Sequence, residues 1–176
     1  MRALLRLFIV STLCALTLAC GFNVQGPVKL APPLQLLYLQ APDPYGHLAR
    51  YLSQYLRASG VTLTATPETA RTTLIILADD SSQELLGVSS TQQTRQYNLR
   101  VTVRFEVINA KTGLVLIAPQ DLTETRTTTV QANMVLGSSN EATINYEQMR
   151  RSIASSILTR LSAKNAEHDV ISGVRP

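Results

Sequence analysis

The side chains that could carry out catalysis are few in this chain and lie far apart in the sequence. Its two histidines are His47 and His168, and neither has a cysteine nearby to complete a set of metal ligands. Asp79 and Asp80 are adjacent in a predicted strand, so their carboxylates should point to opposite faces. The chain has no Gly-x-Ser-x-Gly elbow and no glycine-rich phosphate loop. We therefore expect neither an enzyme nor a metal site, and a hydrolase that uses a serine with His47 is a distant alternative.

The chemistry that the sequence does support is covalent attachment of lipid near its N-terminus. Arg2 and Arg6 precede an apolar run over 7–18, which is too short to span a bilayer and is typical of an export signal. The run ends in Thr17-Leu18-Ala19-Cys20, which resembles the bacterial lipobox except that Leu is usual in place of Thr17. The resemblance implies a signal peptide over 1–19 and an S-diacylglycerol and N-acyl chain on Cys20, which together anchor a protein stably. The alternative is an ordinary signal cleaved elsewhere, which leaves Cys20 a free thiol.

Composition and charge restrict the partners. The chain has 176 residues and a formal net charge of +4, and removal of Arg2 and Arg6 from its 16 basic residues leaves 14 against 12 acidic ones. A net charge this small does not indicate a nucleic-acid-binding surface.

Cys14 should leave with the signal peptide, so no intramolecular disulfide is expected. In lipoproteins generally, an Asp after the lipidated cysteine favours the inner membrane, and Gly21 in that position favours the outer membrane.

The first half of the mature chain predicts a tether, a strand and a helix. Residues 20–33 hold three prolines and two glycines and indicate an extended tether. The apolar run over 34–40 is typical of a buried strand. Asp43 and Pro44 suit the N-cap and first position of a helix that should end at Gly60. Its apolar stripe consists of Leu48, Tyr51, Leu52, Tyr55 and Leu56.

The second half predicts strands followed by a helix. A strand over 72–90 with a bulge near Asp79-Asp80 precedes a second strand over 96–109. In this second strand apolar and polar side chains alternate from Gln96 to Val107. A hairpin turn leads into a strand over 114–130, where Pro119 indicates an edge or a bulge. We predict a flexible loop over 131–143, a helix over 145–161 and a disordered tail over 164–176.

These elements predict one α+β domain over residues 34–163. Two helices with one apolar stripe each can cover one face of a sheet. The expected architecture is a two-layer sandwich, in which a mostly antiparallel four-stranded sheet carries both helices on one face. Its other face should be polar, with Arg100 and Arg104 four residues apart on it.

The ordered motifs of the chain resemble the lipopolysaccharide-assembly lipoprotein family, the small subunit of the outer-membrane lipopolysaccharide translocon. Each motif alone is weakly specific, but their order and spacing over residues 1–163 match. Cys20-Gly21-Phe22 matches the start of the mature family proteins, whereas Gln25 replaces an Arg that is usual there. The other matches are Asp43-Pro44-Tyr45-Gly46, Leu56, Gly60-Val61, Tyr97-Asn98-Leu99, Val101-Thr102-Val103, Arg126, Met134, Leu136, Asn140-Glu141, Met149-Arg150-Arg151 and Ile157-Leu158-Thr159-Arg160-Leu161.

The resemblance implies a role in the outer membrane. It implies a lipid-anchored protein, on the periplasmic side and inside its partner barrel, that binds lipopolysaccharide and plugs the large β-barrel lipopolysaccharide-assembly protein (LptD). A polar sheet face is compatible with a polar barrel lumen, although such a face more commonly meets water. The open alternative is an auxiliary lipoprotein of a lipid transporter or of a peptidoglycan synthase, because fold alone does not fix function.

Four arginines are candidate ligands for the phosphates of lipopolysaccharide: Arg95, Arg100, Arg104 and Arg126. Arginine presents bidentate donors that match phosphate. Arg126 is the foremost candidate because the family also has Arg there, whereas Ser138 stands where some members carry a basic residue. The alternative is an ordinary solvated strand face, whose charges contribute little. Apart from the lipid on Cys20, no cofactor is expected.

Overall fold

The structure is a computed structural model that describes residues 30, 32–91, 93–131 and 135–171, with 135–139 and 164–171 described by their backbone alone. The predicted signal peptide over 1–19, Cys20 and most of the predicted tether lie outside the described residues. None of the helices that the structure describes is long and apolar enough to cross a membrane.

Strands and helices alternate at the start of the described chain, and three long strands follow. The strands are β1 (Leu36–Gln40), β2 (Thr62–Leu63), β3 (Thr72–Val88), β4 (Thr94–Asn109) and β5 (Val115–Gln131), and the helices are α1 (His47–Ala58) and α2 (Val135–Ile171). Short 3-10 helices at Pro32–Gln35 and Pro67–Thr69 precede β1 and β3.

The sheet is mixed and has five strands in the order β2-β1-β3-β4-β5. Strand β1 is parallel to both β2 and β3, whereas β3, β4 and β5 are successively antiparallel. The prediction of a mostly antiparallel four-stranded sheet is therefore wrong in this detail. Helix α1 returns the chain to the end of the sheet where β1 began, so the next strand runs parallel to β1. Strand β2 is only two residues long, too short to leave a periodic signal in the sequence.

The N-cap of helix α1 lies three residues after the predicted cap, Asp43. It is Gly46, without a side-chain cap bond, and Asp43 instead accepts a hydrogen bond from the Tyr45 amide at 3.1 Å in the preceding turn. At the other end the prediction is confirmed. Gly60 has φ +82°, and its amide donates to the Arg57 carbonyl at 3.0 Å, because glycine adopts the left-handed conformation without a Cβ penalty.

Helix α2 is more than twice as long as predicted. The predicted loop over 131–143 is wrong from Val135 onwards, where the helix begins, and the helix continues to Ile171 through much of the predicted tail. Residues 132–134 and 172–176 lie outside the described residues. Met149, Ile153, Ile157 and Leu161 are buried against the sheet. Once such a stripe fixes the central turns, extending the helix at either end costs little free energy, because each added residue gains a hydrogen bond.

The core lies between the sheet and the two helices. Alternate residues of β4 are fully buried, and they join the apolar stripes of α1 and α2 in a single hydrophobic cluster. The buried β4 residues are Leu99, Val101, Val103, Phe105 and Val107. This arrangement confirms the α+β class, the predicted alternation of β4 and the location of both helices on one face of the sheet.

Candidate binding surfaces

The outer face of the sheet, which is the face away from the two helices, is polar over most of β4 and β5 but carries Ile75 and Ile108 near the start of β3. On β4 it carries Gln96, Asn98, Arg100, Thr102, Arg104 and Glu106, which alternate with the buried residues. Four threonines of β5 lie opposite four of these residues: Thr123, Thr125, Thr127 and Thr129. The hydroxyls of Thr102 and Thr123 lie 3.1 Å apart and form a cross-strand hydrogen bond, the kind of pair that stabilises neighbouring strands.

Arg100 and Arg104 lie on the outer face as predicted. Arg104 Nε is 3.7 Å from Asp121 Oδ1, with both side chains more than half exposed, so water screens this ion pair. Arg100 lies between Ser82 and Thr125 in the register of the sheet. The same face also carries the carboxylates of Asp80, Glu84, Glu106 and Asp121. Its charge is therefore mixed, so an anion would be met by individual arginines and not by a uniformly positive surface.

The other two candidate arginines lie on the opposite face of the sheet. Arg126 pairs with buried Leu99, and Arg95 pairs with Val130 on the same side as the helices. Arg126 Nη1 donates hydrogen bonds to Asn145 Oδ1 at 2.9 Å and to Gln148 Oε1 at 2.6 Å, both on α2. The structure thus divides the four arginines between two faces and does not bring them into one site.

Arg126 belongs to a polar seam that joins β5 to α2. We use this name for three contacts in which inward-facing polar residues of β5 meet α2: Gln120 with Arg160, Glu124 with Ser152, and Arg126 with Asn145 and Gln148. Ser152 donates its hydroxyl to Glu124 Oε1 at 2.6 Å. Sequence reasoning missed the seam because polar residues occupy both faces of β5, so its alternation gives no sign of which face is covered.

A bulge in β3 brings Asp79 to the helix side of the sheet. The register shifts between Ile76 and Ala78, so that Asp79 lies opposite buried Val103 and Asp80 opposite Thr102. The two carboxylates therefore point to opposite faces, as predicted. Arg150 Nε lies 3.0 and 2.9 Å from the two oxygens of Asp79, and these side chains are only 18% and 23% exposed.

The Asp79–Arg150 pair lines a cleft of about 360 Å³ beside the start of α1, together with Asp43, His47 and Leu48. Because the carboxylate and guanidinium already satisfy each other, the cleft offers little free charge to a ligand. Among the described residues, no group of three or more His, Cys, Asp or Glu side chains could hold a metal ion.

The exposed side of the helix layer carries an aromatic and ionic cluster between α1 and α2. Tyr51 donates its hydroxyl to Glu147 at 2.6 Å, and His47 Nδ1 lies 3.4 Å from the same carboxylate. Arg151 Nε donates to the Tyr55 hydroxyl at 2.9 Å, and its guanidinium carbon is 5.9 Å from the centre of the Tyr51 ring. These contacts join the two helices, and His47 takes part in them.

The Tyr51–Glu147 hydrogen bond changes the acidity of both groups. It lowers the pKa of Glu147, and the nearby His47 and Arg50 act in the same direction. The same bond raises the pKa of Tyr51, because the hydroxyl must keep its proton to donate it. Similarly, the hydrogen bond to Tyr55 raises the pKa of Arg151. The cluster therefore favours a neutral Tyr51 and an ionised Glu147.

The sequence of this chain is similar to a known protein family and to named members of it. Residues 34–161 match a family model described as LptE, lipopolysaccharide-assembly. A Yersinia enterocolitica protein named LPS-assembly lipoprotein LptE is 31% identical over 109 residues, which cover 61% of this chain and 53% of that protein. The match thus spans about half the length of that relative. The Pectobacterium atrosepticum protein of the same name is 26% identical over 172 residues, 97% of this chain and 91% of its own length.

Solved structures of bacterial lipoproteins share the fold. A lipoprotein B of Nitrosomonas europaea superposes with a TM-score of 0.67 at 20% identity, covering 83% of this chain and 93% of that one. A minor lipoprotein of Acinetobacter baumannii superposes with a TM-score of 0.63 at 22% identity, covering 75% and 93%. At such identities the likeness establishes the fold alone. The family model, however, covers most of the sequence, and this chain therefore belongs to the LptE lipopolysaccharide-assembly family.

Proposed function

We propose that this protein is an outer-membrane lipoprotein without enzymatic activity that binds lipopolysaccharide and plugs the β-barrel lipopolysaccharide-assembly partner, LptD. In this role it takes part in the transport of lipopolysaccharide to the outer leaflet and its insertion there. The observation that carries the proposal is the family match over 34–161. An S-diacylglycerol and N-acyl chain on Cys20 anchor the protein at the periplasmic side of that membrane.

The polar outer face supports a position inside a barrel. Barrel lumens are polar. A plug whose sheet face is polar can contact the wall of such a lumen through polar side chains. The described residues include no buried side-chain nitrogen or oxygen atom that lacks a hydrogen-bond partner. The buried side chains of the described residues therefore need no partner protein to satisfy their hydrogen bonds.

The length of the sheet supports the same position. Strands β4 and β5 have 16 and 17 residues, which at about 3.3 Å per residue span roughly 50 Å. The hydrocarbon core of a bilayer is about 30 Å thick. A sheet of this length, oriented along the axis of a barrel, reaches from one mouth of the lumen to the other.

The four arginines stay the proposed ligands of lipopolysaccharide phosphate, and they are not equally available. Among the described residues, Arg95 and Arg100 have neither an ion-pair nor a hydrogen-bond partner, and both are exposed. Arg104 and Arg126 would have to exchange Asp121 and the α2 amides for phosphate. The geometry therefore favours Arg100 as the first contact on the outer face.

Affinity purification of the full chain from envelope membranes tests the proposal. Recovery of a large outer-membrane β-barrel supports it, whereas recovery of an inner-membrane transporter or a cell-wall synthase supports an auxiliary lipoprotein of another system. Depletion of the protein should also reduce surface lipopolysaccharide and correctly assembled barrel. Unchanged amounts of both would contradict the proposed role.

A further inference from the structure

Strand β5 forms one edge of the sheet, and its free side is long and regular. The opposite edge is β2, which is only two residues long. From Gln120 to Gln131, β5 pairs with β4 in unbroken register, whereas Pro119 and the register shifts of this strand pair lie before Gln120. Among the described residues no strand pairs with the other side of β5. Every second residue there therefore presents an amide and a carbonyl that have no partner in the sheet.

The side of β5 that faces α2 is only partly covered. Leu122, Glu124, Thr128 and Val130 face the helix layer, but each is only half-buried, and Arg126 between them is exposed. The inward-facing residues of the neighbouring strand β4 are fully buried. The helix layer thus stops short of the edge, and a further strand that carried its own helix would extend both layers of the sandwich.

The charges of β5 are complementary to a second copy of the same strand. An antiparallel pair of β5 strands related by a two-fold axis at Thr125 places Glu124 of each copy opposite Arg126 of the other. Both residues face the helix layer, so the helices of both copies lie on one face of a continuous sheet. On the outer face, Thr123 of each copy lies opposite Thr127 of the other, a pair that can form a cross-strand hydrogen bond.

Neighbouring registers of the same strand pair are disfavoured. A shift of two residues in one direction places Glu124 opposite Glu124, and a shift in the other direction places Arg126 opposite Arg126. Like charges directly opposite each other destabilise a strand pair. A shift of one residue would bring the helix-facing side of one strand together with the outer side of the other. The charges therefore select the register centred on Thr125.

The same register accommodates Pro119. It places Pro119 opposite Gln131, the last residue of the strand. Proline has no amide to donate and is tolerated where a ladder ends. The segment that would pair is thus the regular part of β5, and the irregular part lies outside it.

We infer that two copies of the protein, when not bound to a barrel, pair through their β5 edges in the antiparallel register centred on Thr125. They form one continuous sheet to which each copy contributes five strands. A lumen filled by one copy has no room for a second, so the pair precedes docking in the barrel and must separate for docking to occur. Until then the pair covers an edge that is otherwise open to uncontrolled strand pairing.

Single cysteines on the outer face of β5 test the pairing and its register. The variants are Thr125→Cys and, as the matched control, Thr129→Cys, in the full chain purified without its barrel partner and oxidised with copper phenanthroline. At the two-fold axis the two Thr125 Cα atoms are about 4.5–5.5 Å apart, a distance that a disulfide spans. Thr129 of one copy lies opposite Asp121 of the other, so the two Thr129 are about 26 Å apart at about 3.3 Å per residue.

We expect at least about fivefold more disulfide-linked dimer from Thr125→Cys than from Thr129→Cys on a non-reducing gel, because only the first pair meets the geometry of a disulfide. The parent protein measures any contribution from Cys20. Equal crosslinking of the two variants, or no dimer above that of the parent, overturns the inference. The edge would then be open to another occupant, such as a segment of the barrel partner.

Charge reversal tests the register without relying on a position at the axis alone. In the Thr125→Cys variant, Glu124→Arg should remove most of the dimer, because it places an arginine opposite Arg126. Adding Arg126→Glu should restore the dimer, and circular dichroism checks that each variant keeps the fold. A folded double reversal that does not restore the dimer contradicts the register. Failure to recover a barrel from envelope membranes would contradict the proposed function and leave the pairing untouched, because the pairing is measured on protein without a barrel.

Discussion

Arg126 and Arg100 are chemically identical side chains, but they lie on opposite faces of the sheet and therefore make different contacts. Arg126 faces the helices and is held by two side-chain amides of α2, so its guanidinium links a strand to a helix. Arg100 faces outwards between Ser82 and Thr125 and can accept a new partner without losing an old one. A phosphate ligand is therefore easier to accommodate at Arg100.

Substitution of the two arginines should separate binding from stability. We expect Arg100→Gln to weaken binding of purified lipopolysaccharide about tenfold, because a charge-assisted hydrogen bond contributes about 1.5 kcal/mol or more, and to leave the free energy of unfolding within about 0.5 kcal/mol. Arg126→Gln should instead lower that free energy by about 1 kcal/mol. Isothermal calorimetry and urea denaturation measure the two effects. The control is Arg57→Gln, which removes another exposed arginine. If this variant loses as much binding as Arg100→Gln, the loss reflects the change in net charge and not a specific contact of Arg100.

The Tyr51–Glu147 hydrogen bond should make stability depend on pH at the acidic end. The pKa of Glu147 is lowered in the folded protein, so the bond's contribution is present above the glutamate's unfolded pKa, about 4.3. The contribution is lost as pH falls through the lower folded pKa, because protonation removes the charged acceptor. Tyr51→Phe should therefore be less stable than the parent protein at pH 7, and the difference in stability should shrink between pH 7 and pH 3, as measured by urea denaturation. A stability difference that stays constant between these pH values would contradict a contribution from the ionised Glu147.

At the scale of elements, helix α2 shows that packing outweighs local composition. The stretch Gly137-Ser138-Ser139-Asn140 reads as a loop tip because these residues have low helix propensity or favour turns. It is nevertheless helical, because the turns that follow are fixed by a buried stripe and by the polar seam. The central strand β4 presented no such conflict. Its strict alternation agrees with its buried and exposed faces, so it was predicted nearly to the residue.

The buried apolar residues of α2 should contribute much of the stability of the helix layer. Ile157 is fully buried, whereas Ile144 on the same helix is 53% exposed. We expect Ile157→Ala to lower the free energy of unfolding by about 2–5 kcal/mol, because it leaves a cavity in the core. The matched variant Ile144→Ala should change it by less than about 0.5 kcal/mol. Equal losses for the two variants in chemical denaturation would mean that α2 is not packed on the sheet as described.

At the scale of the whole molecule, the domain has polar surfaces on both of its layers. The outer face of the sheet carries threonines and mixed charges, and the exposed side of the helices carries the tyrosine, arginine and glutamate cluster. A protein docked on a partner through one layer leaves the other layer in water, which also suits a polar surface. A plug is surrounded by its barrel, so both layers must suit a polar wall.

Photocrosslinking can distinguish a plug from a protein docked through one face. A photoreactive phenylalanine analogue in place of Thr127, on the outer face of the sheet, or of Gln54, on the exposed side of α1, should in each case give an adduct with the barrel partner in cells. Both positions are exposed, so each can reach a surrounding wall. Gel analysis of the crosslinked envelope identifies the adducts. Adducts from only one position would contradict lumenal plugging, and adducts from neither would contradict the partnership.

The sequence by itself determined the features that depend on neighbouring residues along the chain. These are the lipobox prediction at Cys20, which stays a prediction, the alternation of β4, the stripe of α1 ending at Gly60, and the family. Tertiary structure decided what depends on residues far apart in the chain. The parallel pairing of β1 depends on where α1 returns the chain. The sequence predicts a bulge in β3 near Asp79-Asp80, and the structure places it at Leu77, which turns Asp79 towards Arg150. The division of four arginines between two faces follows from strand register, which a sequence with polar residues on both sides of a strand does not specify.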